Sequence, residues 1–499
     1  MKNVLSRENM RLSDQAAVAG GCDEVALVWR AAEAIADAVR WVEPVAIVCG
    51  KGNNGADGLA LALVLHRRKV AVTALSVVMG PNSAARHHYY GLCLAEGVDV
   101  RVFSGANDLD GFATVVDCVL GIGAKGAPRL QAVPSIEAIN RCGAYVVSVD
   151  INSGLDADSG MATLAVHSRL TVSVGGFKTG HFVNMAKDFA DEVINVDIGI
   201  EPVQKPYRLV EPQDLAAEVE PRKHFCNKGD FGYVALIGGS LPYSGAIRLA
   251  AMAAGAMRAG AGVVKIAAPA ELCPLLVPQV LESTLFPLAQ EDGHLLFVED
   301  EFARLVANTR SIAFGMGVGV GAHTTAALRY LLANYTGRLI VDADGLTALA
   351  ALPEEEVRRH RPALVLTPHA KEFARLVGCT IDDVLSDGVA MAETYARRIG
   401  AVVLLKGPTT VVSDGNDTYL VSVGGAGMAT AGSGDVLSGI LAATCAYREA
   451  LVPAVYYAAY LNGRAGELAE AEVGDVSMIA SDTVRMIPAA IAELRRING

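Results

Sequence analysis

Short apolar runs that end in glycine or in polar residues recur along the first two hundred residues. VAIVCG (45–50) is followed by LALALVLHRRK (59–69), which has helical length, and then by the apolar run VAVTALSVV (70–78). This order predicts a βαβ unit with parallel strands. Four later runs of the same character are further predicted strands: TVVDCVLG (114–121), AYVVSVD (144–150), RLTVSVGG (169–176) and VINVDIGI (193–200).

The same pattern starts again after residue 230. YVALIGG (233–239), a Gly/Ala-rich helix (245–260) and GVVKIAA (262–268) form a second predicted βαβ unit. TTVVSDGNDTYLVSV (409–423) predicts a hairpin that turns on Asp414-Gly415. The remaining predicted strands are SIAFGMG (311–317), RLIVDADG (338–345), ALVLTPH (363–369) and AVVLLKG (401–407).

A change in composition separates the two halves. Residues 201–223 hold four prolines and many charged residues, which is typical of a connecting segment. We therefore predict an N-terminal domain over 1–211, a linker over 212–222 and a C-terminal domain over 223–499. Both domains are expected to be doubly wound α/β folds.

Composition and charge exclude several classes of protein. A chain of 499 residues is too long for one ordinary domain, and its formal charge of −12 argues against a nucleic-acid surface. The nine cysteines include no CxxC pair, and the N-terminus has no apolar core of a signal peptide. The most apolar stretch, 244–270, is interrupted by Arg248, Arg258 and Lys265. We expect a cytoplasmic protein that does not cross a membrane.

Polar and glycine-rich loops follow the predicted strands of the first half. The loop 50–58 contains four glycines, Asn53, Asn54 and Asp57, so the backbone can approach a ligand closely. Asp117 ends another strand, and the segments 149–160 and 175–181 follow two more. Carboxylates and hydroxyls beside such turns suit a hard monovalent or divalent cation together with a phosphorylated ligand.

The segments GNNGADGL, DCVLGIGAKG, VDINSGLDADSG and FKTGH, with the opening NMRLSDQAA, resemble the N-terminal domain of NAD(P)H-hydrate epimerases, the YjeF N-terminal family. The resemblance covers roughly 1–205 and implies a Rossmann-like fold. It implies potassium near Asn54, Asp117 and Ser153, and Asp150 as a catalytic residue on the substrate. The residues that it places around the hydrated dinucleotide are Asn53, Asn54, Gly55, Ala56, Asp57, Gly121, Ile122, Gly123, Ala124, Lys125, Gly126, Ala127 and Asp150.

A glycine-rich loop that opens an apolar helix is the strongest local signal of the second half. The segment 424–435 contains five glycines and ends in Asp435. Free amides at a helix start bind phosphate, and an aspartate there can accept the proton of an attacking hydroxyl. Asp435 could instead simply cap the helix. The segments KGPTT (406–410), TPHAKEF (367–373) and VDADGL (341–346) complete a candidate nucleotide site.

This set resembles the ribokinase-like superfamily. More narrowly, HFCNKGDFGYVALIGGS, LTPHAKEFARL, LLKGPTTVV and GMATAGSGDVLSGI, within about 222–495, resemble ADP-dependent NAD(P)H-hydrate dehydratases. The resemblance implies a hydrate site at Ala246, Gly317, His369 and Asp435, with Asp435 catalytic. Around ADP it places Lys406, Gly407, Pro408, Thr409, Thr410, Gly424, Gly425, Ala426, Gly427, Met428, Ala429, Thr430, Ala431, Gly432, Ser433 and Gly434.

The chain departs from the dehydratase pattern at two loops. Gly315-Met316-Gly317 stands where the family usually has Gly-Pro-Gly, and His369-Ala370-Lys371-Glu372 stands where it usually has His-Pro-Gly-Glu. Because proline fixes a backbone dihedral angle, its loss is expected to loosen these loops.

Together the resemblances imply repair of hydrated NADH and NADPH. The first domain would interconvert the R and S hydrates, and the second would dehydrate the S form with ADP, giving NAD(P)H, AMP and phosphate. Mg²⁺ and K⁺ are the implied ions. We expect the partners to be the hydrated dinucleotide and ADP, in a homo-oligomer, and neither nucleic acid nor a membrane.

Two alternatives from other classes stay open at this point. A small-molecule kinase of the hydroxymethylpyrimidine or hydroxyethylthiazole type would share the ribokinase-like fold and its anion loop, but would have no use for the first domain. A binding scaffold with relic sites would share both folds, but the retained Asn54, Asp57, Asp117 and Asp150 argue against it.

Overall fold

Parallel sheets form the centre of both units of this chain. The structure is a computed structural model that describes residues 1–77, 83–216, 219, 221–254 and 258–497. One compact unit is Asn3–Tyr207, and the other joins Met1–Lys2 to Arg208–Gly499. Each has its own core, which agrees with the two α/β folds predicted from the sequence.

The N-terminal unit has a seven-stranded parallel sheet in the order β4-β3-β2-β5-β6-β7-β9. A separate short strand, β1, pairs with β8 through Val4 and Leu5. The elements are β1 (Lys2–Leu5), α1 (Arg7–Ala19), α2 (Glu24–Ala38), β2 (Val45–Cys49), α3 (Asn53–Arg67), β3 (Val72–Ser76), α4 (Ala84–Ala95), β4 (Asp99–Val102), β5 (Thr114–Cys118), α5 (Val133–Arg141), β6 (Tyr145–Val149), β7 (Leu170–Val174), β8 (Phe177–Lys178), α6 (Ala186–Phe189) and β9 (Val193–Val196).

The apolar strand β2 explains why this sheet is covered on both faces. All five of its residues are buried. Val45, Ile47 and Cys49 pack in the core that holds α2 and α3, whereas Ala46 and Val48 pack with α5 in a second core. Successive side chains of a strand point to opposite faces, so an uninterrupted apolar run requires helices on both sides.

The C-terminal unit has a sheet in the order β13-β12-β11-β16-β17-β18-β19-β20-β21-β10. Its strands are parallel from β13 to β19, and β19, β20 and β21 form an antiparallel meander. The strands are β10 (Tyr207–Leu209), β11 (Tyr233–Ile237), β12 (Val263–Pro269), β13 (Thr284–Leu288), β14 (Gln290–Glu291), β15 (His294–Leu295), β16 (Ser311–Phe314), β17 (Arg338–Val341), β18 (Ala363–Leu366), β19 (Val402–Leu405), β20 (Thr410–Ser413) and β21 (Thr418–Val421).

The apolar helix α16 packs in the core of this unit with strand residues such as Val234 and Leu236. The helices are α7 (Pro212–Ala216), α8 (Ser244–Ala254), α9 (Cys273–Leu276), α10 (Glu299–Val306), α11 (Ala322–Asn334), α12 (Asp344–Ala350), α13 (Glu354–Val357), α14 (Ala370–Val377), α15 (Ile381–Ile399), α16 (Ser433–Tyr447), α17 (Leu451–Val473) and α18 (Ala480–Ile497). In the part of the chain that the structure describes, no helix combines the length and apolarity that a bilayer crossing requires.

The segment between the halves is more ordered than its composition suggests. We predicted the linker from its prolines and charges, yet β10 and α7 lie at 207–216, and β10 pairs in parallel with β21. The units divide between Tyr207 and Arg208. Residues 217, 218 and 220 of the predicted linker lie outside the described residues.

Candidate active sites in the two units

A cavity of about 1150 Å³ lies at the carboxyl ends of β2, β5 and β6 in the N-terminal unit. One helical face of α1, including Met10 and Asp14, lines it together with the loops that follow these strands. Of the residues assigned to the hydrated dinucleotide, those that line the cavity are Asn53, Asn54, Asp57, Gly121, Ile122, Gly123, Ala124, Lys125, Gly126, Ala127 and Asp150.

The other two predicted residues support the loop from behind. Ala56 is fully buried in the core of the sheet. A Cβ atom added to Gly55 would lie 2.0 Å from the carbonyl oxygen of Gly50, so this position requires glycine for a close backbone approach. Gly55 and Ala56 therefore lie in the first turn of α3, close against the preceding loop, and do not line the cavity.

Asp150 stands at a strained position directly after β6. Its φ is +69°, a left-handed conformation that non-glycine residues adopt at an energetic cost. The Asp150 carboxylate forms an ion pair with Lys178 and accepts a hydrogen bond of 3.3 Å from the N–H of Ile122. These contacts hold the carboxylate at the cavity wall.

His181 and Lys178 fix the backbone beneath Asp150. The N–H of Lys178 donates to Nδ1 of His181 at 3.0 Å, so the proton of the ring lies on Nε2, which is 2.8 Å from the carbonyl oxygen of Asp150. Burial and the neighbouring Lys178 lower the pKa of His181 to about 3, so the ring stays neutral. Lys178 is fully buried, and its Nζ also donates to the carbonyl oxygen of Val174 at 2.8 Å.

Two further carboxylates face the same cavity. Burial raises the pKa of Asp14 to about 6. The positive charge of Lys178 opposes this rise, and the negative charge of Asp150 adds to it. Burial and the negative charge of Asp150 raise the pKa of Asp57 well above its usual range. Sequence reasoning named Asp57 and missed Asp14 and Lys178 as site residues. Both lie in segments that carried the family resemblance, NMRLSDQAA and FKTGH, which was the available signal.

Of the three predicted potassium residues, Asn54 and Ser153 contact the carbonyl oxygen of Leu120, and Asp117 contacts Ser153. Nδ2 of Asn54 donates to that oxygen at 2.8 Å, and Oγ of Ser153 lies 3.2 Å from it. Asp117 is fully buried and accepts hydrogen bonds from Ser153, Val119 and Ser148. The Oδ1 atom of Asn54 is buried and has no hydrogen-bond partner among the residues that the structure describes. An orphaned amide oxygen beside main-chain carbonyls fits a hard monovalent cation.

Lys406 is the centre of the candidate site in the C-terminal unit. Its Nζ lies 2.8 Å from Oδ1 of Asp342 and 3.9 Å from Oε2 of Glu372. Burial alone would lower the pKa of Lys406, but Asp342 and Glu372 raise it above its usual value. Burial would raise the pKa of Asp342, but Lys406 and a hydrogen bond of 2.7 Å from Ser438 keep it low. The pair is therefore charged.

Asp435 lies in the first turn of α16, beside this pair. Burial and the negative charge of Asp342 raise its pKa to about 6, against an opposing effect of Lys406. Among the described residues, its carboxylate has no hydrogen-bond or ion-pair partner, and the amides of Gly434 and Asp435 have no acceptor. A Cβ atom added to Gly434 would lie 3.5 Å from Nζ of Lys406. The site combines free amides, a cation and a base.

The sequence predicts free amides along the glycine loop, but two amides in its first half are already hydrogen-bonded to glutamates. The N–H of Gly424 donates to Oε1 of Glu467 at 2.9 Å, and the N–H of Gly427 donates to Oε2 of Glu470 at 2.9 Å. Both glutamates lie on α17, one helical turn apart. These carboxylates anchor the segment 424–428, whereas the free amides belong to the start of α16.

His369 begins α14 and lies next to Lys406. The N–H of Lys406 donates to the carbonyl oxygen of Pro368 at 2.8 Å, and His369 and Lys406 form a parallel bridge. Nδ1 of His369 accepts from the N–H of Lys371 at 3.1 Å, and Glu372 accepts from the N–H of His369 at 2.8 Å. This capping box orders the loop without the proline and glycine of the usual motif. We had expected loosening at this loop, and the cap opposes it.

Ala246 and Gly317 also come together. A Cβ atom added to Gly317, whose φ is +65°, would lie 3.1 Å from the Cβ of Ala246. At Gly315, with φ of +120°, an added Cβ would lie 2.1 Å from the carbonyl oxygen of Asp342. Met316 between them is fully buried, so packing holds this loop where the family usually has proline.

Among the described residues, no group of three or more His, Cys, Asp or Glu side chains is arranged to hold a metal ion. Mg²⁺ usually keeps several waters and is held by one or two carboxylates together with substrate phosphates. The carboxylate of Glu372, whose Oε2 lies 3.9 Å from Nζ of Lys406, fits that mode of binding, in which phosphates complete the ligand set.

Two sequence families match the chain in tandem. The family described as NAD(P)H-hydrate dehydratase matches residues 234–489, and the family described as YjeF-related protein N-terminus matches residues 25–180. These matches fall in the C-terminal and N-terminal units respectively.

Full-length relatives combine the same two regions. The chain is 34% identical to the bifunctional NAD(P)H-hydrate repair enzyme of Pyrobaculum aerophilum, over 98% of each chain. It is 36% identical to that of Mycobacterium leprae, over 90% of this chain and 89% of the relative. Among solved structures, the Bacillus subtilis ADP/ATP-dependent NAD(P)H-hydrate dehydratase, co-crystallised with ATP/Mg²⁺, is similar at 26% identity and a TM-score of 0.51. That match covers 58% of this chain and 99% of the other.

Proposed function

Because this chain belongs to the family of bifunctional NAD(P)H-hydrate repair enzymes, we propose that its two units divide the repair between an epimerase and a dehydratase. The substrates are NADH and NADPH that carry an added water at C6 of the nicotinamide ring. We assign epimerisation of the R and S hydrates to the N-terminal unit, and dehydration of the S hydrate to the C-terminal unit.

The dehydratase assignment depends on Asp435. Its unpartnered carboxylate, with a pKa of about 6, stands beside free amides and the Lys406 ammonium. A carboxylate with that pKa is ionised at neutral pH and is a stronger base than an ordinary aspartate. This arrangement is the single observation that carries the proposed chemistry.

In the proposed reaction, Asp435 takes the proton of the C6 hydroxyl as its oxygen attacks the β-phosphate of ADP. AMP leaves, and the amides at the start of α16 stabilise the charge that develops on the transferred phosphoryl group. Loss of phosphate from C6 and of a proton from C5 then restores the C5–C6 double bond of NADH or NADPH. Phosphate departs far more readily than hydroxide, which explains the need for a nucleotide.

We assign the nucleotide to the segments 406–410 and 424–434, and the hydrate to Ala246, Gly317, His369 and Asp435. Glu372 would hold magnesium together with the phosphates, and the ion would screen the negative charge of the diphosphate. Lys406 keeps its proton and supplies a positive charge next to the reacting groups.

In the N-terminal unit, we assign the hydrated ring to the cavity, with Asp150 as the catalytic residue. Potassium held by Asn54, Asp117 and Ser153 would fix the loops 50–58 and 119–123 that shape the cavity. The orphaned Oδ1 of Asn54 supports this ion site. Lys178 orients the Asp150 carboxylate through its ion pair.

The test is incubation of the full chain with a mixture of the two NADH hydrates, ADP and magnesium. We expect reduced-nicotinamide absorbance to return, with AMP, phosphate and NADH formed in equal amounts. Phosphate transfer to a hydroxymethylpyrimidine or hydroxyethylthiazole alcohol, without return of absorbance, would contradict the dehydratase assignment.

A further inference from the structure

Asp14 is a charged residue of the cavity that has no assigned role. It lies on the face of α1 that lines the cavity. Asp57 and Asp150 line the same cavity from other elements. Among the described residues, the Asp14 carboxylate has no hydrogen bond and no ion pair within 4 Å. Asp150, in contrast, is paired with Lys178. A half-buried carboxylate without a partner is costly unless a ligand uses it.

Inversion at C6 makes a chemical demand that one carboxylate does not meet. When the hydroxyl leaves from one face of the ring and water adds to the other, one group must donate a proton and a second must accept one. The two groups must differ in protonation at the start of the reaction. Environments that separate the pKa values of neighbouring carboxyls provide that difference.

We propose that Asp14 is a second acid–base residue of the epimerase cavity, acting on C6 of the hydrated ring together with Asp150. This inference rests on the proposed epimerase function of the N-terminal unit. It assigns the two residues to opposite faces of the ring, Asp14 on the side of α1 and Asp150 on the side of the strand ends.

In the proposed step, one water molecule leaves C6 and another adds to it, with one proton given by Asp14 and one taken by Asp150. Protonated Asp14 gives its proton to the C6 hydroxyl as the C6–O bond breaks, so water leaves and the ring-nitrogen electron pair forms a C6–N double bond. A water molecule then adds to the other face of C6, the electron pair returns to the nitrogen, and the Asp150 carboxylate takes the released proton. The reverse reaction uses the same two residues in exchanged roles.

The charges and the burial around Asp14 support its role as a proton donor. Burial raises the pKa of Asp14 to about 6, so a protonated fraction persists near neutral pH. Lys178 forms an ion pair with the Asp150 carboxylate, whereas Asp14 has no such partner among the described residues. The other charged residues that line the cavity are Arg11, Glu24, Lys51, Asp57, Lys125, Arg129, Asp150, Asp156 and Lys178. Of these, Lys178 lowers the pKa of Asp14 and Asp150 raises it.

The test follows interconversion of the separated NADH hydrates by chromatography, with the full chain and without ADP, so that the dehydratase stays idle. We expect Asp14→Asn to lower kcat for epimerisation roughly 10²-fold or more, with KM little changed. Asp14→Glu keeps a carboxyl group and should retain part of the rate. Glu8→Gln, at an exposed position of the same helix, should match the wild type.

The pH profile supplies a readout that a structural role would not move. The wild-type epimerisation rate should depend on a group that titrates near pH 6, and Asp14→Asn should lose that dependence. An Asp14→Asn variant with the wild-type rate and profile overturns the inference, as does a rise in KM with unchanged kcat. If the wild type does not exceed the spontaneous rate, the epimerase function itself fails, and this inference fails with it.

Discussion

The carboxylates of the N-terminal cavity and those of the C-terminal site have different partners. In the cavity, Lys178 pairs with Asp150, while Asp14 and Asp57 have no ion-pair partner in the part of the chain that the structure describes. In the C-terminal site, Lys406 lies against both Asp342 and Glu372, and only Asp435 of the set has no partner among the described residues.

This difference follows the chemistry that each site must perform. Epimerisation needs groups that exchange protons in both directions, so several carboxyls with raised pKa values are useful. Phosphoryl transfer needs a fixed positive charge, ordered amides and a single base. In the C-terminal site the carboxylate that is paired with Lys406 holds charge in place and the unpaired Asp435 is available for proton transfer, whereas in the cavity the paired Asp150 is assigned to proton transfer as well.

The largest effect is expected from Asp435→Asn. The change is nearly isosteric and removes the base, so dehydration should fall by roughly 10²–10⁴-fold while ADP still binds. Epimerisation by the other unit should be unchanged, which serves as the internal control. Steady-state rates and nucleotide titration measure both. Near-normal turnover would remove Asp435 from the mechanism. It would also contradict the claim that the unpaired carboxylate of the C-terminal site transfers the proton.

Lys406→Met tests the role of a carboxylate that is paired with a lysine, Asp342. Removal of the ammonium leaves Asp342 buried and without its cation, so unfolding of the C-terminal unit should become easier by about 3–5 kcal/mol. Denaturant titration measures this change. The double variant with Asp342→Asn should recover much of the loss, because no buried charge then lacks a partner. Equal stability of Lys406→Met and wild type would contradict the structural role of the pair.

Glu470→Ala tests the anchored half of the glycine loop and should have a smaller effect. Loss of the acceptor for the N–H of Gly427 should loosen 424–428 and raise KM for ADP roughly tenfold, in line with a lost charge-assisted hydrogen bond. Glu470→Gln keeps an acceptor and is the matched control. If Glu470→Ala and Glu470→Gln have the same KM as wild type, the anchor does not position the nucleotide loop.

The smallest effect is the response of dehydration to mild acid. The pKa of Asp435 is raised to about 6, so the base is ionised above that pH and becomes protonated below it. The kcat/KM for dehydration should therefore stay level from pH 8 to 7 and fall as the pH drops through about 6. An inflection near pH 4 would mean that Asp435 has an ordinary environment in solution.

The central strands could be predicted from the sequence because burial on both faces leaves a continuous apolar run, as in β2 and β11. β1 and β10 were missed, since each is short and carries polar or charged residues, and each is recruited by a distant partner strand. The missing proline after His369 predicted a looser loop, but Glu372 orders this loop through a capping box.

The chemistry of single residues was more predictable than their pairings. Asp435 stands out because it ends a glycine-rich segment, and Asp150 stands out because it ends an apolar strand. The pairing of Lys406 with Asp342 joins residues 64 positions apart, and Glu470 reaches Gly427 from 43 positions away. Such contacts depend on how strands and helices pack, and nothing in the local sequence encodes them.

The division of labour is tested most directly by comparing the full-length wild type with its Asp150→Asn variant on an equal mixture of the two NADH hydrates, with ADP in excess. The wild type should consume both hydrates in one continuous phase. The variant should consume the S hydrate at the wild-type rate, then continue only as fast as the R hydrate converts unaided. Consumption of both hydrates by the variant at the wild-type rate would contradict the epimerase assignment of the N-terminal unit.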